Sequence, residues 1–323
     1  MSAHYHLRKE KNCLNCGHQV PENYCPNCGQ LNREPILTLH DLVHDFIHMF
    51  THFDGKFFQT IRVLFSKPGF LTRAYLDGKR IQYLPPVQLY VFTSALFFFV
   101  FYSFIVNVPD AENLDNNVNL KKQTDSSKIF LNLSGTDSLL ITRFQTPEQY
   151  IRYQDSLPAA NRDSYLNRLI TSSEIKLNQR FSQNSGEATR DLINALLKNF
   201  PKLLFLSLPI MASILFLLFF KKKQFSFVTH LLFLLHLYVF TLISLLFSFG
   251  FEQLNTLTGW SIFFLIDAAI GLWIFVYGYK AMKNLYQLSR KRALFNYTIF
   301  LLSGLIVGTV LFIGDVLYAL ITV

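Results

Sequence analysis

Five long stretches with almost no charge limit what this chain of 323 residues can fold into. Residues 87–108, 203–220, 225–251, 259–279 and 294–323 are each long enough to cross a hydrocarbon core about 30 Å thick. Between them they hold two carboxylates, Asp267 and Asp315, and two histidines, His230 and His236. Helices in a soluble core rarely run so far without charge. A backbone inside lipid must satisfy its own polar groups, which helices do within one segment. The expected fold class is therefore mainly α, a polytopic α-helical membrane protein with five transmembrane helices. Composition agrees, with 51% hydrophobic residues, 34 phenylalanines and only 16% charged residues.

Short loops set the orientation. Lys221, Lys222 and Lys223 lie between spans two and three. Lys280, Lys283, Arg290, Lys291 and Arg292 lie between spans four and five, and Lys67, Arg73, Lys79 and Arg80 precede span one. Five crossings put all three groups on one side, the cytoplasm by the positive-inside rule. The chain is then expected in the inner membrane of a cell, multi-pass, with a cytoplasmic N-terminus and an extracytoplasmic C-terminus. The first twelve residues are polar and basic, without the apolar stretch of a signal peptide. The net charge of +9 follows from this distribution and calls for no nucleic acid.

The cytoplasmic end carries the clearest chemistry. Cys13-Leu-Asn-Cys16 and Cys25-Pro-Asn-Cys28 hold the only cysteines of the chain, eight residues apart. Two such knuckles supply the four thiolates of a closed tetrahedral zinc site, which is structural because no coordination position stays open. Iron on the same thiolates is the alternative. Disulfides are disfavoured in a reducing compartment. A redox C-x-x-C needs a βαβ context that the chain lacks. Gly17 and Gly29 follow the knuckles, where a positive φ is needed. His6 and His18 lie nearby and read as surface residues. Residues 1–36 thus form a small zinc-ribbon-like module whose folding depends on its metal. Its Arg8, Lys9, Lys11 and Arg33 are offset by Glu10, Glu22 and Glu34, a poor footprint for nucleic acid.

Residues 37–86 are expected to form a membrane-proximal segment. From Thr38 to about Ser66, Leu39, Val43, Phe46, Phe50, Phe53, Phe57, Ile61 and Leu64 recur at helical spacing. This amphipathic helix should lie on the membrane surface or on the bundle, with a break at Asp54-Gly55. Its polar face carries His40, His44, His48 and His52. Four histidines at this spacing drift about 120° around a helix, so one ion cannot take all of them. One adjacent pair with an aspartate could hold a second metal; a solvated or pH-sensitive face is the alternative. Pro68-Gly69 and Asp77-Gly78 mark turns. Lys79 and Arg80, beside Gly78, are candidates for a lipid or phosphate contact, against a plain positive-inside anchor.

The order of Cys13 and Cys16, Tyr24 to Gln30, Thr60, Pro68-Gly69, Tyr75, Gly78-Lys79-Arg80, Tyr83 and Pro86 resembles a bacterial membrane family known as domain of unknown function 3667, seen mostly in Bacteroidetes. The resemblance covers roughly residues 13–100. It implies a zinc-ribbon-like N-terminus joined to a multi-pass domain, and no activity.

Residues 109–200, between spans one and two, hold 11 acidic and 11 basic residues. Residues 110–138 read as a linker. A helix should start at Thr146-Pro147-Glu148, with interruptions at Pro158 and Ser185-Gly186. Residues 201–323 then form a four-helix transmembrane region, in which Pro209 is a candidate break. Asp267 and Asp315 fall at similar expected depth and, with His236, could form a proton or cation path. The alternative is that each carboxylate bonds hydroxyl groups between helices. No hydrolase or transferase motif is present, so an enzyme is disfavoured. The expected function is a scaffold or regulatory membrane protein whose zinc module engages a protein partner, with anionic lipid at the cytoplasmic face. The alternative is a small transporter or channel using Asp267 and Asp315.

Overall fold

A computed structural model describes residues 7–34, 56–105, 144, 146–260 and 262–322. The histidines at 40, 44, 48 and 52, the helix start at Thr38, the break at 54–55 and the linker at 110–138 lie outside the described residues. Among the described residues nine α-helices follow one another: α1 Lys56–Ser66, α2 Phe70–Leu76, α3 Pro86–Val100, α4 Pro147–Ser156, α5 Tyr165–Gln183, α6 Ser185–Leu218, α7 Phe227–Thr258, α8 Ile262–Tyr286 and α9 Arg290–Thr322. The chain is mainly α, and among the described residues five helices are long and apolar enough to cross a membrane: α3, α6, α7, α8 and α9. Among the described residues the only β-type pairing is three isolated bridges in residues 7–33.

Contacts divide the chain into two compact units, residues 1–105 with 205–307, and residues 106–204 with 308–323. In the first unit α7 is the central helix. Of its most apolar window 56% is buried, against 11% for α8 and α9. Ser226 caps its start by accepting from the Thr229 N–H, and Gly259 closes its end at φ 69°. At 32 residues it is about 48 Å long. It packs on α3, α8, α1 and α2. Phe264, Leu272 and Phe275 on α8 and Leu305, Val310 and Phe312 on α9 remain exposed, as side chains facing lipid would.

In the second unit Thr146 caps α4, as its sequence anticipates, accepting from the Gln149 N–H at 3.4 Å. Pro158 separates α4 from α5, and Asn184 separates α5 from α6. Asp163 ties this hairpin together. Its carboxylate accepts from the Tyr150 hydroxyl at 2.7 Å and the Gln154 amide at 2.6 Å. The helix α6 starts at Ser185 and runs unbroken for 34 residues, through Gly186, Pro201 and Pro209. Its polar first half and the second apolar span are therefore one helix, longer than a bilayer core.

Candidate metal centre and its seat

The two cysteine pairs build two copies of one turn. Gly17 N–H donates to Cys13 O at 2.9 Å, and Gly29 N–H donates to Cys25 O at 2.8 Å. Each loop closes when the first cysteine's N–H meets a carbonyl five residues on. Cys13 donates to His18 O and Cys25 to Gln30 O, both at 2.9 Å. Gly17 and Gly29 have φ of 76° and 72°, which a side chain would oppose. Antiparallel bridges Asn12 to Gln19 and Tyr24 to Leu31 flank the two turns.

All four sulfurs lie within 4.8 Å of one another, with Cys13 to Cys28 at 3.5 Å and Cys16 to Cys25 at 3.6 Å. Four thiolates about 2.3 Å from one tetrahedral ion stand about 3.8 Å apart. The spacing is thus that of a four-sulfur metal site, and none of the cysteines is in a disulfide. Cys13, Val20 and Cys25 are almost fully buried and form the module's small core. The thiols are not equivalent. The His18 backbone N–H and then the Asn27 side chain lower Cys16 to about 6. Burial pushes Cys28 up to about 12. A bound cation would draw all four toward thiolate.

The metal loops rest on the segment that precedes span one. Gln30 has its backbone carbonyl on Cys25 and its side chain on the loop after α2. Its Nε2 donates to Gly78 O at 2.8 Å, and its Oε1 accepts from the Arg80 N–H at 3.4 Å. Gly78 has φ of 89°, and a Cβ there would stand 2.6 Å from Leu14 Cδ1. Leu14 belongs to the first knuckle, so both knuckles meet at this one glycine. Arg80 is 8% exposed, with its guanidinium 5.7 Å from the centre of the Tyr75 ring. Arg80 is thus buried, with its backbone N–H on the module and its guanidinium over Tyr75; Lys79 is half-buried.

Below this seat, α1 and α2 form a hairpin packed on α7 and α8, so the described part of the amphipathic segment, Lys56–Ser66, lies on the bundle. Pro68 lacks the N–H that would bond Leu64 O one turn back. The Tyr277 hydroxyl of α8 supplies the missing donor at 2.8 Å. Asn284 Nδ2 donates to Pro68 O at 3.0 Å. Gly69 has φ of 79°, and a Cβ there would lie 2.6 Å from Ala281 O. Thr60 donates to Lys56 O at 2.7 Å and accepts from the Leu84 N–H at 3.1 Å. The sequence marked Gly69 and Gly78 as turns but did not show that Leu14, Gln30, Tyr277 or Asn284 would meet this segment.

His236 of α7 faces the same hairpin. Its Nδ1 lies 2.9 Å from Leu232 O, which only accepts, and 3.1 Å from Thr72 Oγ1. Asp267 of α8 accepts a hydrogen bond from Ser248 Oγ of α7. Asp315 is buried in α9, in the second unit.

A family model described as protein of unknown function (DUF3667) matches residues 54–98. The match takes in α1, α2, the Gly78 loop and most of α3, and it stops short of the cysteines. No curated protein matches the chain. No solved structure matches it.

Proposed function

We propose that the chain is a membrane scaffold whose N-terminal zinc module, held on the cytoplasmic face, engages a protein partner. The observation that carries this is the Gln30 clamp. It fixes the metal loops to the matched segment at Gly78 and Arg80, so the module is held at one place and orientation. A closed four-sulfur site has no open coordination position for catalysis, which favours a structural ion, and zinc suits four thiolates. The module also leaves Tyr24 63% exposed and Leu7 47% exposed. An aromatic held outward on a rigid turn is what a recognition surface needs. The basic loops 221–223 and 280–292 support the cytoplasmic side. The Ser248 hydroxyl on Asp267 supports an anchoring bond between helices over an ion path.

The test is affinity capture of the full chain from membranes, comparing wild type, Cys25→Ser and Tyr24→Ala. Partners lost from both variants support the proposal. A set of partners unchanged in both contradicts it. Proton or cation flux in proteoliposomes, abolished by Asp267→Asn, would establish transport instead.

A further inference from the structure

The turn between α8 and α9 gathers cations from three elements of the first unit. The α8 helix ends at Tyr286, and Gln287 takes φ of 50°, so the Leu288 N–H turns back to Lys283 O at 3.1 Å. Lys222, from the turn between α6 and α7, donates its ammonium to Tyr286 O. Arg73 of α2 faces Gln287. With the amide oxygen turned toward it, both guanidinium Nη atoms donate at 3.0 Å. Burial, and then the charge of Arg292 in the first turn of α9, lower the Lys222 ammonium below its ordinary value.

Lys222 at the end of α8 is a good helix cap, and positive loops orient any polytopic chain. Neither role explains why a half-buried ammonium on Tyr286 O and a guanidinium on Gln287 are held at consecutive residues of one turn. Among the described residues none of the three forms an ion pair with a carboxylate. Like charges brought together from three elements raise one another's free energy unless an anion sits among them. Lys222 and Arg292 lie next to the ends of the apolar helices α6 and α9, and Arg73 reaches the end of the apolar helix α8. A phosphate oxygen can take guanidinium donors in a fork and an ammonium as a point charge.

We propose that Arg73, Lys222 and Arg292 form a site for a phosphate group at the cytoplasmic end of α8. The group is supplied by an anionic phospholipid headgroup or by free phosphate. Arg292 and Arg73 are exposed and supply most of the attraction, and Lys222 holds the site against the helix end. This site is separate from the zinc module and stands whether or not a protein partner exists.

The test is native mass spectrometry of the full chain in detergent, titrated with dioleoylphosphatidylglycerol, dioleoylphosphatidylcholine or inorganic phosphate. Each interfacial cation adds about fivefold in affinity for anionic lipid. Arg292→Gln should therefore weaken phosphatidylglycerol binding about fivefold, and Arg73→Gln with Arg292→Gln about 25-fold. The control pair Arg152→Gln with Lys176→Gln, in the second unit, should change nothing. Lys222→Gln also removes a helix cap, so its folding is checked by circular dichroism before its binding is compared. Phosphatidylglycerol binding that depends on the two arginines identifies a lipid headgroup, and inorganic phosphate binding with the same dependence identifies free phosphate. Binding that is absent for both, or equal in wild type and the double variant, overturns the proposal.

Discussion

Gly78→Val should lift the metal module off its seat without touching a sulfur. At φ of 89° a β-branched residue is strained by about 1–3 kcal/mol. The new Cβ would also stand 2.6 Å from Leu14 Cδ1 and 3.2 Å from Leu14 Cβ, an overlap that costs about 1–3 kcal/mol more. Against this, the two Gln30 hydrogen bonds hold the seat with about 0.5–1.5 kcal/mol each. The penalty matches or exceeds the hold, so the seated state loses at least about 2 kcal/mol, or roughly 30-fold in population. The assay is limited trypsin digestion, because the bonds after Lys79 and Arg80 can be cut only when this loop opens. When closing is faster than cleavage, the cutting rate follows the open fraction. Cleavage at 79–81 should rise roughly 30-fold while the metal content stays at the wild-type value. Leu14→Ala in the same chain removes the 2.6 Å overlap with Cδ1 and leaves the 3.2 Å approach to Cβ and the strain. It should bring cleavage back by about fivefold or more. Equal cleavage of wild type and Gly78→Val, or no rescue by Leu14→Ala, would refute the packing of Leu14 on Gly78.

Three further outcomes follow from the same contacts. Gly69→Ala combines a left-handed φ with a Cβ 2.6 Å from the Ala281 carbonyl, so the chain should lose about 2–4 kcal/mol, read as a lower Tm in detergent. Tyr277→Phe leaves the Leu64 carbonyl without the donor that Pro68 lacks, which should cost about 1–3 kcal/mol; a Tm equal to wild type would contradict that bond. In the metal-free chain Cys16, lowered to about 6, is thiolate at neutral pH, whereas Cys28, raised to about 12, is not. Iodoacetamide should therefore modify Cys16 first at pH 7. Its rate should fall as pH drops through 6, and faster labelling of Cys28 would reverse the assigned environments. The sign for folding follows. The depressed Cys16 favours the metal-free fold above pH 9 and loses that contribution as pH falls to 6. The raised Cys28 favours it below pH 9 and loses that contribution as pH climbs to 12.

What the sequence makes legible here is local. The knuckle turns, with their positive φ at Gly17 and Gly29, follow from residues at most five apart. The five apolar spans follow from composition along single helices. The seat does not, because its contacts join distant residues. Gln30 reaches 48 residues to Gly78, and Tyr277 reaches 213 residues to Leu64. Helical periodicity shows that α1 has an apolar face and leaves open whether lipid or α7 and α8 cover it. The charge boundary near Lys202 marks where lipid can begin, but helix α6 continues through it to Ser185, because polar residues with good helix propensity prolong a helix without regard to the bilayer. Lys79 and Arg80 stand out in sequence as candidates for a lipid or phosphate contact. Arg80 is buried, with its N–H on Gln30, while the cations of the proposed phosphate site, Arg73, Lys222 and Arg292, are scattered along the chain.

X-ray absorption at the zinc edge on the purified full chain tests the central claim most directly. The predicted result is one zinc per chain with four sulfurs at about 2.3 Å and no nitrogen or oxygen in the shell. In Cys25→Ser the zinc content should fall and trypsin should cut at Arg80. A chain that carries no zinc, or zinc held by oxygen or nitrogen ligands, would contradict a four-thiolate module clamped by Gln30 to the membrane-proximal loop.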